Sequence, residues 1–411
     1  KLQRKEASKR NRRGAAPVLF AEPSIEELLP PGYTPGDYAS ASSGASKKIL
    51  LPEGTVRNDT KEYEEVRIPP TKPGVVGEGE RLVPISEFDE WARPAFGGIK
   101  ALNRIQSRVF EAAYRSHENM LVCAPTGAGK TNVALMTILH EIGQNYSYGV
   151  IRKERFKIIY VAPMKALAQE MVENFSRRLK PLGIVVKELT GDMQLTKKEL
   201  TETQMIVTTP EKWDVITRKT SDVALVSLVR LLIIDEVHLL HEDRGPVIET
   251  LVARTLRQVE SSQSMIRIVG LSATLPNYED VATFLRVNTA TGLFHFNNAY
   301  RPVPLSQQYI GVKTSDATRK KAIMNRLAYE KAKESVEQGH QVMIFVHSRQ
   351  GTVKTAQVLM EIAREKGTTA LFQVDDDCTA RYNLLLKEVA KSRNRELKEL
   401  FAGGFGMHHA G

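Results

Sequence analysis

The run Met120-Leu121-Val122-Cys123-Ala124-Pro125-Thr126-Gly127-Ala128-Gly129-Lys130-Thr131 joins a short apolar strand to a glycine-bearing loop and the start of a helix. Gly127 and Gly129 let the backbone curl until its N–H groups converge on phosphate oxygens. Thr126 and Ala128 complete the cradle. Lys130 brings a positive charge to the β and γ oxygens, and the Thr131 hydroxyl suits a magnesium ion. The helix expected over 131–142 carries Val133, Leu135, Met136, Ile138 and Leu139, and its N-terminus favours an anion. Ala124 stands where such a loop usually has its first glycine, so this run alone matches incompletely.

A second run supplies what the first lacks. Leu231-Leu232-Ile233-Ile234-Asp235-Glu236-Val237-His238 opens with uninterrupted apolar residues, as in a parallel strand buried on both faces. It delivers two carboxylates at its carboxyl end, where open α/β sheets bind ligands. Asp235 is suited to hold Mg²⁺, directly or through water, and Glu236 to polarise an attacking water. Adjacent carboxylates are costly unless a cation is near. A solvated Asp-Glu turn is the plainer alternative, and strand, spacing and loop together speak against it. The two runs imply a nucleoside triphosphate and magnesium.

Lys and Arg outnumber Asp and Glu by 58 to 48, a net charge of +10, and 411 residues at 42% hydrophobic can build two or three domains. The excess fits an anionic polymer as partner. Residues 1–13 hold seven basic residues and one acidic one, a tail expected to be disordered, with a localisation signal or a nucleic-acid arm as the sharper alternative. Cys123 and Cys378 make neither a disulfide framework nor a zinc site, and Cys123 is expected to be buried packing. With no signal peptide and no long uncharged apolar run, the sequence predicts a soluble, intracellular protein without a membrane partner.

Composition divides the chain. Residues 1–48 are basic and of low complexity. Residues 49–95 read as an extended, strand-poor arm packed along the next domain, because eleven of the nineteen prolines precede residue 95. Residues 96–297 alternate strands, at 120–124, 157–162, 185–189, 205–208, 231–235 and 266–272, with helices. That pattern predicts an α/β fold with a parallel sheet covered on both faces. A linker at 298–312 leads to a partial second unit at 313–411. Helices are expected there at 318–338 and 350–366, with strands at 340–347 and 368–373.

Further segments fall at the edge of the predicted sheet. Leu102-Asn103-Arg104-Ile105-Gln106 precedes the loop strand, and the Gln106 amide can read an adenine edge; on its own it would be a surface helix glutamine. Ser272-Ala273-Thr274 closes a strand, and the Ser272 and Thr274 hydroxyls are expected to bond the Asp-Glu carboxylates and couple hydrolysis to movement. Three loops carry small residues, hydroxyls and lysines: Pro163 and Lys165, Thr190 and Gly191, Thr209, Pro210 and Lys212. Such loops suit contact with a phosphate backbone without base reading, although each alone is ordinary structure.

In this order the segments resemble the superfamily 2 DExH helicases: a Gln motif, a P-loop, Ala162-Pro163-Met164-Lys165-Ala166-Leu167, Thr190-Gly191-Asp192, Thr208-Thr209-Pro210-Glu211-Lys212-Trp213, Asp235-Glu236-Val237-His238 and Ser272-Ala273-Thr274. Phe345-Val346-His347-Ser348 and His408-His409-Ala410-Gly411 resemble the first motifs of that family's second domain. The likeness spans residues 49–411. It implies two RecA-like domains, the second truncated. It further implies ATP held between them, with Lys130, Thr131, Asp235, Glu236 and His238 catalytic and His238 linking the nucleotide to the Ser-Ala-Thr segment. His347 and Ser348 join the residues expected at nucleic acid.

The stretches at 125–132, 209–214 and 238–246 are similar to the large two-cassette helicases. Val237 and the stretch at 256–267 resemble the cointegrator, ribosome-rescue type. The spliceosomal type, which unwinds U4/U6 RNA and usually has Ile at that position, is the alternative. The resemblance implies 3′-to-5′ movement on single-stranded RNA or DNA, splitting of collided ribosomes and unwinding in alkylation repair. It implies the ribosome and other subunits of a cointegrator or quality-control complex as partners, in cytoplasm and nucleus. The family's last two motifs, with an arginine finger, are expected beyond Gly411. A nucleotide-dependent clamp or scaffold without unwinding is the reading of another class, and the intact Lys130, Asp235, Glu236 and His238 argue against it.

Overall fold

The computed structural model describes residues 51–72, 74, 80–191, 193, 195–218, 223–373 and 379–409. The expectations for residues 1–48 and for Asp192, Cys378, Ala410 and Gly411 lie outside the described residues. Two units emerge, one built on residues 70–306 and the other on residues 53–69 and 307–411. In chain order the strands are β1 (Val56–Asp59), β2 (Tyr63–Ile68), β3 (Met120–Cys123), β4 (Tyr146–Ser147), β5 (Val150–Ile151), β6 (Lys157–Val161), β7 (Val186–Leu189), β8 (Met205–Thr208), β9 (Val229–Ile234), β10 (Arg267–Ser272), β11 (Leu293–His295) and β12 (Gln307–Val312). The helices are α1 (Arg104–Phe110), α2 (Lys130–Gln144), α3 (Lys165–Leu179), α4 (Lys197–Glu202), α5 (Pro210–Arg218), α6 (Val223–Ser227), α7 (Gly245–Ser262), α8 (Tyr278–Phe284), α9 (Ala317–Glu337), α10 (Arg349–Glu365), α11 (Thr379–Lys391) and α12 (Arg395–Ala402).

In the first unit, apolar runs become the strands of one seven-stranded sheet in the order β11-β3-β10-β9-β6-β8-β7. Every ladder in it is parallel. Alternate side chains point to opposite faces, and both faces are buried. Met120, Val122, Ile158, Tyr160, Leu231 and Ile233 join the core beneath α2 and α3. Leu121, Cys123, Ile159, Val161, Leu232 and Ile234 join the core beneath α5 and α7. Burial pushes the Cys123 thiol up to about 12, in keeping with a packing role. The register gathers the carboxyl ends along one edge: Ser272 pairs with Cys123, and Ile234 pairs with Gly270, two residues before β10 ends. The sequence expectation missed β11, whose three residues are too few to show a period. It also missed the small β4–β5 hairpin.

One buried cation ties the opposite edge. Arg267, on β10, donates to the carbonyls of Glu118 at 2.8 Å, Ala113 at 3.1 Å and Ala112 at 2.6 Å. The last two belong to a wide helical turn, Glu111–Arg115, that continues α1. Burial draws this guanidinium down to about 10.

The second unit corrects the expectation of a strand-poor arm. β1 and β2 form an antiparallel hairpin, and β12, within the expected linker, pairs antiparallel with β2. Prolines flank the hairpin at 52, 69 and 70 rather than interrupting it, so proline density misled. Lys331 of α9 meets Glu65 of β2 at 3.4 Å. Tyr329, Leu359 and Ala363 pack α9 on α10. The two strands expected beyond α9 do not form among the described residues. Among the described residues no strand pairs with residues 340–347, and Met343 and Phe345 are 78% and 88% exposed. Residues Thr369–Phe372 are a short 3₁₀ helix, with Phe372 stacked 5.1 Å from Phe405.

Replacing Arg267 by Met would leave three carbonyls without their donor. Each lost charged hydrogen bond is worth about 1.5–3 kcal/mol, so we expect destabilisation of roughly 3 kcal/mol or more. Thermal unfolding of the variant measures it, and an unchanged midpoint would contradict the anchoring role.

Candidate active site

The glycine loop leaves β3 at its carboxyl end, where the Ala124 N–H bonds the Ser272 carbonyl at 3.1 Å. Gly127 and Gly129 have φ of 80° and 83°, a region costly for any residue with a Cβ. Gly129 caps α2 in the left-handed conformation. A Cβ there would run into the Gln106 amide and come within 3.3 Å of Asn103 Nδ2, while one at Gly127 would meet nothing within 4 Å. Thr126 and Gly127 are exposed, Ala128 is buried, and Lys130 and Thr131 are half-buried. Lys130 Nζ donates to the Ala124 carbonyl at 3.2 Å, which leaves two of its three donors for phosphate.

Asn103 and Gln106 perform a double task. They form the capping box of α1: Asn103 Oδ1 accepts the Gln106 N–H at 2.9 Å, and Gln106 Oε1 accepts the Asn103 N–H at 3.1 Å. Their remaining amide ends hold the loop, Asn103 Nδ2 donating to Ala128 O at 2.9 Å and Gln106 Nε2 to Gly129 O at 3.1 Å. Gln106 is 3% exposed, so a base edge would have to reach the one hydrogen and one lone pair still open on its amide. Nothing in the sequence reading had given Asn103 a role, although Asn three residues before Gln is the capping-box signal.

β9 presents the carboxylate pair beside this loop. Asp235 is fixed by its N–H to the Val161 carbonyl at 3.0 Å. Its Oδ2 accepts the Tyr160 hydroxyl at 2.7 Å, and its Oδ1 accepts the Glu236 N–H at 3.0 Å. Burial lifts the Asp235 carboxyl above the usual carboxylate range and the Glu236 charge adds to that, against the Tyr160 and Glu236 hydrogen bonds and the Lys130 charge. A cation would reverse that balance. The Thr131 hydroxyl and the Asp235 carboxylate are hard oxygen donors, the chemistry that magnesium takes. Glu236 sits at φ 52°, ψ 49°, a left-handed conformation costing an ordinary residue about 1–2 kcal/mol. Strain of this kind gathers where function dictates geometry. The turn swings the chain into a 3₁₀ helix, Val237–His241. There His238 Nδ1 lies 3.2 Å from Glu236 Oε2 and 3.3 Å from the Ala273 N–H. A single ring nitrogen either accepts from Ala273 or donates to Glu236, so His238 faces both neighbours and serves one at a time.

The expected contact of Ser272 and Thr274 with the carboxylates is corrected. Among the described residues no hydrogen bond joins either hydroxyl to Asp235 or Glu236. Ser272 closes β10 with its Oγ buried and without a partner. The link runs through the backbone of Ala273 instead.

The three loops follow β6, β8 and β7, which are neighbours in the sheet. Lys165, exposed, opens α3; Gly191 is exposed; Thr209 is half-buried, and buried Pro210 opens α5. Thr190 is a correction: it is fully buried and donates to Glu188 Oε1 at 2.6 Å, so its hydroxyl does not face a ligand. Lys212 Nζ donates to Met193 O at 3.2 Å, tying the second loop to the third. Arg244, which the sequence reading gave no task, donates to the carbonyl of buried Pro163 and pairs with Glu211 at 3.2 Å. In the second unit His347 is exposed, and Ser348 caps α10 by accepting the Gly351 N–H at 3.0 Å. No helix among the described residues is long and apolar enough to cross a membrane.

Residues 103–281 match the DEAD/DEAH box helicase family. The chain is 56% identical to the DExH-box ATP-dependent RNA helicase DExH14 of Arabidopsis thaliana, over 100% of this chain and 19% of that protein. It is 61% identical to activating signal cointegrator 1 complex subunit 3 of Danio rerio, over 89% of this chain and 24% of the relative. For the Homo sapiens protein of that name the identity is 59%, over 89% and 17%. The chain thus spans a quarter or less of the length of these relatives. Among solved structures, the DUF1998 helicase MrfA bound to DNA and AMPPNP superposes with a TM-score of 0.56 at 22% identity, over 74% of this chain and 42% of that one, a likeness of fold.

Gly129→Ala should weaken nucleotide binding by roughly tenfold or more, from backbone strain and the collision with Gln106 together. Gly127→Ala, with strain alone, should cost less. Titration with a fluorescent ATP analogue ranks the two, and equal losses would contradict the role given to Gln106.

Proposed function

We propose, from the match of residues 103–281 to the DEAD/DEAH box helicase family, that this chain hydrolyses ATP to move along single-stranded RNA. The observation that carries the reading is the strained Glu236. It lies next to Asp235 at the loop-facing end of β9 and within reach of His238, which also meets the Ser272-Ala273-Thr274 segment.

In this reading the loop N–H groups and Lys130 take the β and γ phosphates of ATP. Thr131 and Asp235 hold Mg²⁺, which when bound neutralises charge on the transferred phosphoryl oxygens. Glu236 orients the attacking water and accepts its proton. His238 exchanges its bond to Glu236 for one to Ala273, passing the state of the site to the loop after β10. Lys165, Gly191, Thr209 and Lys212 track the strand through phosphates, without reading bases.

The proposal extends by resemblance to the cointegrator, ribosome-rescue type: 3′-to-5′ movement, separation of collided ribosomes, and unwinding of DNA in alkylation repair. The relatives' names support other complex subunits as partners. The ribosome as partner and residence in cytoplasm and nucleus belong to the same proposal.

Strand displacement by the full-length protein tests it, on an RNA duplex with a 3′ single-stranded overhang, beside Glu236→Gln. Displacement should require the overhang and ATP. The variant should bind nucleotide but lose roughly a hundredfold or more in turnover, the usual contribution of a general base. Equal turnover in the variant would defeat the role of Glu236. ATP hydrolysis without displacement would defeat unwinding.

A further inference from the structure

Tyr160 is a buried phenol without a part in the chemistry above. It lies on β6, 1% exposed, with its ring 5.5 Å from that of Phe175 on α3. Its hydroxyl donates to Asp235 Oδ2 at 2.7 Å, while Oδ1 accepts the Glu236 N–H at 3.0 Å. β6 therefore grips Asp235 twice, once through the Val161 carbonyl to its backbone and once through Tyr160 to its side chain. One donor on each oxygen fixes the plane of a carboxylate and leaves one lone pair per oxygen open. Without the phenol, the carboxylate would hang from a single N–H and could swivel about its Cβ–Cγ bond.

We propose that Tyr160 is the positioning residue for the metal-holding carboxylate, aiming the open lone pairs of Asp235 at Mg²⁺. The inference rests on the reading of Asp235 as the magnesium residue. The chemistry supports it: magnesium demands near-ideal geometry and dehydrates reluctantly, so a ligand already oriented is worth more to it than to a larger ion. Groups that orient a metal ligand typically change metal affinity by 10–100-fold when removed. Tyr160 suits the task because a neutral donor leaves the negative charge of Asp235 intact, where a lysine or arginine would compete with the metal for it. Its place on the strand adds a consequence. β6 runs directly from Tyr160 into Ala162-Pro163-Met164-Lys165, so the strand that aims Asp235 also carries the first loop of the proposed track.

The test uses the full-length protein and Tyr160→Phe, which keeps the ring and its packing and removes only the hydroxyl. Binding of a fluorescent non-hydrolysable ATP analogue is followed while Mg²⁺ is titrated. The half-saturating Mg²⁺ concentration should rise roughly tenfold, with binding in EDTA unchanged. In an Asp235→Asn background the same substitution should have no further effect. Phe175→Leu, which loosens the packing around the ring but spares the hydroxyl, should leave the Mg²⁺ dependence as in the wild type. An equal Mg²⁺ dependence in wild type and Tyr160→Phe would overturn the proposal. So would a Tyr160→Phe effect that persists undiminished without Asp235, or an equal shift in Phe175→Leu. A wild-type protein whose nucleotide binding ignores Mg²⁺ would instead defeat the magnesium reading of Asp235 itself.

Discussion

The structure depends on the register of three parallel strands. β3 and β10 end at the same register position and β9 ends two residues short of it, so the glycine loop, Ser272 and Asp235 leave the sheet along one edge. Parallel ladders buried on both faces allow little slippage, since a one-residue shift would turn every core side chain to the wrong face. The groups that would handle ATP are therefore placed by hydrophobic packing before any of them meets a ligand. The buried polar contacts at this edge make sense in that light. Asn103 and Gln106 hold loop carbonyls, and Tyr160 holds Asp235.

The same edge brings the nucleotide residues near the loops proposed to follow nucleic acid, because β9, β6, β8 and β7 are neighbours in the sheet. From Glu236 the chain passes through one short 3₁₀ helix to Arg244, which clasps the Pro163 carbonyl and Glu211. Lys212 reaches the Met193 carbonyl in the third loop. The ion pair is half-exposed, and such pairs contribute at most about 1 kcal/mol. It suits a contact that rearranges during a cycle better than one that stabilises the fold.

Much of this was legible in the sequence. Six strands of the parallel sheet could be read because their apolar runs are long and bounded, and the loop and Asp-Glu pair because their chemistry demands few alternatives. β11 was not legible at three residues, and β1, β2 and β12 were hidden because prolines around a hairpin look like prolines within an arm. In the second unit, apolar residues 340–347 read as a strand, but apolarity shows only that a segment can be buried, not that a neighbour exists to pair with it. Side-chain partners were the least legible. Ser272 and Thr274 had the right chemistry to meet the carboxylates, yet strand register points Ser272 into the core and leaves the Ala273 N–H to face His238. Tyr160 and Arg244 are far from Asp235 and Pro163 in sequence, and only the folded sheet brings them together.

If the nucleotide site and the loops proposed to follow nucleic acid form one coupled edge, the two ligands must be thermodynamically coupled. The affinity of the full-length protein for a single-stranded RNA oligonucleotide is measured with and without a magnesium-bound, non-hydrolysable ATP analogue, and the reciprocal experiment closes the cycle. Each ligand should change the affinity for the other by the same factor, roughly fivefold or more. Independent binding of RNA and nucleotide would contradict it.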